Sequence, residues 1–272
     1  MKKFITLILT VILSLGCVAG LTACNDNGNK ETLYVYTEAG FPPYEYMKDG
    51  KLVGVDIDIM NKIGEELGYN VVISSIEFGQ ILAKVGQNKM AVGAAGMTKK
   101  PDRDEVALAS ISYATSMQYV ITVKGTFGEE DLVDGKLPIS KLAGMTIGTQ
   151  EATTGHFLVA DAVDGYADEN KEHVTGEIEG TGASYVQYKN AVLASQNLGG
   201  SLQAVVIDKL PAESIVSGND NFECIPLDAE PESYVLYFNK NATELVAKVN
   251  VVLQKMIDDG TIAQYVVNHS GN

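Results

Sequence analysis

The chain has no tryptophan, three cysteines, three histidines and a single arginine among its twenty basic residues. Cys17 and Cys24 fall in the N-terminal apolar region and only Cys224 lies beyond it, so no disulfide framework can staple the fold. Cys224 sits in the apolar run FECIPL and is expected to be a packed thiol. His156, His173 and His269 show no ligand spacing, so neither a metal site nor a cofactor is expected. Basic residues are outnumbered by 35 acids, for a net charge of −15, and a surface that acidic repels phosphate backbones and excludes nucleic acid as a partner. After residue 24 no apolar run is long enough to span a bilayer. With 46% hydrophobic residues, seven prolines and no low-complexity tract, the chain has the makings of one large globular domain or two smaller ones.

The N-terminus, MKKFITLILTVILSLGCVAGLTAC, places two lysines before a mostly apolar run, which is the pattern of a secretory signal peptide over residues 1–23. Its last residues, Leu21-Thr22-Ala23-Cys24, resemble the lipobox of bacterial lipoproteins. That resemblance implies a lipidated Cys24, palmitate anchorage to a bacterial membrane, an extracytoplasmic location and a polar tether over residues 24–32.

Beyond the tether, β-rich runs alternate with helical patterns. LYVYT (33–37), NVVISSI (70–76), MAVGAA (90–95), MTIGT (145–149) and LQAVVI (202–207) predict strands. DIDIMNKIGEELG, FGQILAKVGQN, TGHFLVADAV, ASYVQYKNAVLASQNLGG and LPAESIVSG predict helices, several closed by glycine. Alternation of this kind implies an α/β fold of parallel sheets with helices on their faces. In the first helix Ile59, Ile63 and Leu67 make one buried stripe, while Asp56 and Asp58 in its first turn are expected to complement the helix dipole as caps. YATSMQYVITVKG (113–125) and PESYVLYFNK (231–240) break the rhythm and predict a two-strand hinge. Lobe 1 would then comprise residues 33–116 and 232–272, and lobe 2 residues 117–231.

Ligands of α/β sheets bind beyond the carboxyl ends of the strands. The loops there carry Arg103, Asp208, the hydroxyls of Thr98, Thr153 and Thr154, and the rings of Phe41 and Phe78. The set suits a small zwitterion. Guanidinium forks onto a carboxylate where lysine offers only a point charge, Gly96 lets backbone N–H groups approach the same carboxylate, and Asp208 accepts from an ammonium.

These residues carry a resemblance. GVDIDIMNKIGEEL, with FPPYEY, GMTKKPDR, QEATTGH and AVVIDKLPAE in order, resembles the family 3 extracellular solute-binding proteins, the amino-acid receptors of ABC importers. The resemblance implies a two-lobed periplasmic-binding-protein fold that closes on its ligand. It also implies Arg103 on the ligand α-carboxylate with Thr98 and the Gly96 backbone beside it, Thr154 on the same group from lobe 2, Asp208 on the α-ammonium, Phe41 and Phe78 as walls, and Glu38 and Gln150 where side chains are selected. The chain departs from the family pattern at Val55, at Ala152 and Val235 where glycine is common, and in a C-terminal VVNH in place of a tryptophan-containing end. The expectation is a monomeric, non-enzymatic receptor that binds a free polar or cationic amino acid and hands it to an ABC permease. The rival is an enzyme of the same fold, such as a cyclohexadienyl dehydratase, with Glu38 or Glu151 as its acid.

Overall fold

A computed structural model describes residues 30–271. The expected signal peptide, the Cys24 lipidation site and most of the tether lie outside the described residues. From the tether the chain forms β1 (Thr32–Thr37), a small three-stranded sheet of β2 (Gly40–Phe41), β3 (Glu45–Lys48) and β4 (Lys51–Val53), then α1 (Val55–Leu67), β5 (Asn70–Ser75), α2 (Ile81–Gly86), β6 (Ala91–Gly93), α3 (Pro101–Val106), β7 (Ala107–Ala109) and β8 (Ala114–Ser116). It continues through β9 (Gln118–Val123), β10 (Thr146–Gln150), α4 (Thr154–Asp164), β11 (Tyr166–Ala167), β12 (His173–Val174), β13 (Ser184–Tyr188), α5 (Ala191–Ser195), β14 (Ala204–Asp208), α6 (Lys209–Ser217) and β15 (Phe222–Pro226). It returns through β16 (Glu232–Tyr234), β17 (Tyr237–Asn239), α7 (Thr243–Asp258) and α8 (Thr261–Ser270).

Two five-stranded sheets result, ordered β5-β1-β6-β17-β7 and β13-β10-β14-β9-β15. Each is mixed, where sequence alternation implies a parallel sheet. Three strands of each sheet pair in parallel; the strand that follows a crossing, β17 in the first sheet and β9 in the second, joins antiparallel, and the strand that precedes the other crossing, β7 or β15, pairs antiparallel with it at the edge. The crossing strands β8 and β16 pair with each other, Glu232 opposite Ser116 and Tyr234 opposite Ala114. The predicted helix over residues 183–200 is instead β13 followed by the short α5. Asn190 starts that helix by accepting the Leu193 N–H on its side chain.

The first sheet buries Leu33 and Val35 of β1 against Ile59 and Ile63 of α1, and the second buries Ile147 and Val206 with Val120. Each such side chain contributes roughly 1.5–3 kcal/mol when removed from water. Val235 is fully buried in a third cluster that also holds Met97 and Ile81. At the VVNH end, His269 lies between the Tyr46 hydroxyl (3.1 Å) and the Asp58 carboxylate (2.9 Å), pinning α8 onto β3 and α1. Asp58 is thus a hydrogen-bond partner of His269. Asp56 does not cap either: it is fully buried and accepts the Gly96 N–H (2.9 Å) and the Tyr113 hydroxyl (2.8 Å). Among the described residues no helix is long and apolar enough to cross a membrane, and no cluster of His, Cys, Asp and Glu could hold a metal. Cys224, half-buried in β15, has its thiol pushed up by burial, which keeps it unreactive.

Candidate functional site

The carboxyl ends of both sheets meet across one narrow, tightly closed cavity of about 10 Å3. All ten residues named from the sequence line it, namely Glu38, Phe41, Phe78, Gly96, Thr98, Arg103, Gln150, Thr153, Thr154 and Asp208. Glu45 and Ala95 line it as well.

Arg103 lies on α3, which Pro101 starts at a position where a missing N–H costs nothing. Its guanidinium is almost entirely buried, and burial lowers its pKa from the ordinary arginine range. It donates to the Thr98 carbonyl (2.9 Å) and, from the other sheet, to the Ala152 carbonyl (3.2 Å), and it sits 5.3 Å from the centre of the Phe78 ring. Two carbonyls and a ring therefore fix the plane of the fork. Ala152 follows the left-handed course that glycine would take, with φ 62°, so its carbonyl still reaches Arg103.

The loop after β6 runs along the crossing strand: the Lys99 N–H donates to the Ser233 carbonyl and the Val235 N–H to the Met97 carbonyl. Gly96 there has φ 52°, and a Cβ would stand 2.6 Å from Phe41 Cε1, so only glycine fits. Its N–H is engaged by Asp56, which corrects the expectation that this N–H is available to a ligand carboxylate.

Two of the threonine hydroxyls are likewise engaged. Thr98 donates to the Glu232 carboxylate of β16. Thr153 donates to the Gln150 carbonyl (2.7 Å) and accepts the His156 N–H (3.2 Å), capping α4. Thr154 Oγ1 is buried and has no protein partner. Asp208 stands at the N-cap position of α6, yet its side chain makes no capping bond and accepts the Tyr234 hydroxyl instead (2.5 Å). Burial, followed by the repulsion of Glu232, raises its pKa to about 7, against hydrogen bonds from Tyr234, Gln118 and Ser116 that lower it. Phe41 packs on Tyr44 and Tyr234, with ring centres 5.9 and 6.4 Å apart.

Glu38 spans the gap between the sheets. It accepts the Gly40 N–H (3.1 Å) on its own side, and Asn190 Nδ2 (3.3 Å) and Gln150 Nε2 (3.4 Å) from the other. Burial raises its pKa and these donors lower it. Glu45 is fully buried with no partner for either carboxylate oxygen. Burial pushes its carboxyl well up, and Asp56, Glu38 and Asp208 push it further. The sequence gives one sign of it: in FPPYE a turn at 42–43 makes Phe41 and Glu45 cross-strand partners, so both point the same way.

Five carboxylates, Glu38, Glu45, Asp56, Asp208 and Glu232, are thus buried at or beside the cavity, and Arg103 is the cation that lines it among the described residues. One cationic fork thus faces an excess of buried acid.

Known proteins carry the same architecture. An ancestral arginine-binding protein bound to arginine superposes with a TM-score of 0.76 at 28% identity, over 89% of this chain and 99% of that one. An ancestral arginine-binding protein bound to glutamine gives a TM-score of 0.74 at 28% identity, over 89% of this chain and 99% of that one. The arginine-binding extracellular protein ArtP of Bacillus subtilis (strain 168) is 23% identical over 270 residues, 96% of this chain and 95% of ArtP. Residues 33–272 match the sequence profile of one family throughout, and the chain belongs to the bacterial extracellular solute-binding proteins, family 3.

Proposed function

We propose that this protein is the receptor of an amino-acid ABC importer and that it binds a free cationic amino acid between its two lobes. The observation that carries the reading is the cavity's composition: one buried guanidinium set among buried carboxylates that outnumber it. Arg103 takes the α-carboxylate with its fork, helped by Thr154, whose hydroxyl has no protein partner. Asp208 takes the α-ammonium. Phe41 and Phe78 flank the aliphatic part of the side chain, and Glu38 with Gln150 meets its far end. Each charge-assisted hydrogen bond contributes on the order of 1.5–3 kcal/mol in such a setting. Arginine is the first candidate, because relatives of similar length and structure are arginine-binding proteins.

Closure turns about β8 and β16, with lobe 1 over residues 33–116 and 232–272 and lobe 2 over 117–231. Glu38 and Arg103, which bond across the cavity, hold the closed form for the permease to recognise. The protein works as a monomer tethered by lipid on Cys24, and Cys24→Ser should move it from the membrane fraction to the soluble one; an unchanged membrane fraction would contradict the anchor. A dehydratase would need Glu38 or Glu151 as its acid, but Glu38 is held by three N–H donors and Glu151 is exposed. The receptor reading is tested by a thermal-shift panel of the twenty amino acids. A ligand at 100 times its Kd adds about 2.7 kcal/mol, so arginine or lysine should raise the melting temperature by several degrees, and no shift with any of the twenty would contradict the reading.

A further inference from the structure

Among the described residues Glu45 is the one cavity carboxylate with no donor. Asp56 is held by Tyr113 and Gly96, Asp208 by Tyr234, Glu232 by Thr98 and Gln118, and Glu38 by Gly40, Asn190 and Gln150. Glu45 has neither oxygen satisfied and no solvent exposure. The groups that bear on it are acids from three different elements: Asp56 of α1, Glu38 after β1, and Asp208 at the end of β14. Tyr44, beside it in the chain, is itself held neutral by burial and by Asp56. Arg103, the cation of the cavity, already spends two N–H groups on the Thr98 and Ala152 carbonyls. A buried ionised carboxylate without donor or counter-ion is too costly to persist.

We infer that Glu45 is the residue by which this site reads charge: closing the lobes over it demands a positive charge, supplied by a cationic ligand side chain or, failing that, by a proton from solvent. The inference rests on the amino-acid receptor reading and adds to it a basis for selectivity. With the lobes apart, the cavity that Glu45 lines is open to water and Asp208 of the other sheet is withdrawn, so the pKa of its carboxyl is lower than in the closed form. Closing over an uncharged side chain raises that value, so the complex holds one more proton than the open receptor. Affinity for an uncharged ligand then falls as pH rises, by up to about tenfold per pH unit. A cationic side chain replaces the proton, so its affinity does not fall in this way. Selectivity for the cation therefore grows with pH.

Arginine and citrulline, nearly isosteric and differing by one charge, separate the cases. The experiment is titration calorimetry of the purified protein with each, from about pH 5.5 to 7.5, in two buffers of different ionisation heat. Expected are uptake of about one proton per citrulline and a citrulline affinity falling about tenfold per unit, with arginine affinity changing less than threefold. Glu45→Gln and Glu45→Met should flatten the citrulline curve and cut the arginine preference at least tenfold at the upper pH, without melting below the parent. Citrulline binding that is flat in pH, or variants that weaken both ligands equally, would overturn the inference while leaving the receptor reading in place. A parent protein that binds no amino acid would overturn both.

Discussion

The two sides of the cavity are built on opposite terms. Around Arg103 the fork already has protein partners: two carbonyls and the Phe78 ring fix its plane, and the loop that carries it is tied to the crossing strand at Lys99 and Val235. Around Glu45 and Asp208 acids crowd together, Glu45 with no donor and Asp208 with the Tyr234 hydroxyl, and their carboxyls stand well above the ordinary range because burial, and then the charge of neighbouring acids, opposes ionisation. The difference teaches which side is scaffold and which side waits for the ligand. A preorganised fork loses little entropy on meeting a carboxylate. A desolvated acid group gains most when a cation arrives.

Changes on the preorganised side should be costly to the fold as well as to binding. Gly96→Ala forces a Cβ to 2.6 Å from Phe41 Cε1 at a positive φ, and should lower stability by about 2 kcal/mol in denaturant melts; a loss below half of that would mean the loop can shift. Arg103→Lys keeps the charge and removes the fork, and should weaken amino-acid binding at least tenfold, about 1.4 kcal/mol, by calorimetry.

On the acidic side the signature is pH. The Asp56 carboxyl is raised from 3.8 to about 6, by burial against the Gly96 N–H and the Tyr113 hydroxyl. A raised acid binds more protons folded than unfolded, so its contribution is complete below pH 3.8 and is lost as pH rises through 6. Ligand-free stability should therefore decline across that window, and Asp56→Asn should flatten the decline. The smallest effect lies between the two sides. Ala152→Gly relieves a left-handed alanine but loosens the unfolded chain, for a net gain of about 0.5 kcal/mol in thermal melts.

Arg103 was legible because composition isolates it, one fork among nineteen lysines, and strand-end loops are where an α/β fold puts its ligands. Glu45 was not, because an acid in FPPYEY reads as a loop charge until α1 and the second sheet close over it. Asp56 looks like a cap in sequence, since first-turn acids usually are. Its real partner, Tyr113, lies 57 residues away. The same distance effect hides the bond of Thr98 to Glu232, 134 residues away, whereas the bonds of Thr153 are local and cap the helix it precedes. In ASYVQYKNAVLASQNLGG the helix formers around SYVQY favour one long helix. What makes Ser184–Tyr188 a strand is parallel pairing with Thr146–Gln150, which no local pattern carries.

If Arg103 receives the ligand's carboxylate while the acids receive its cations, agmatine, which is arginine without the carboxylate, isolates the part played by the fork. Calorimetric titration of the parent protein and of Arg103→Ala with both compounds should show arginine bound at least a hundredfold more tightly than agmatine by the parent, about 2.7 kcal/mol. In the variant that gap should shrink to within about threefold. A gap that survives intact in Arg103→Ala would contradict the account.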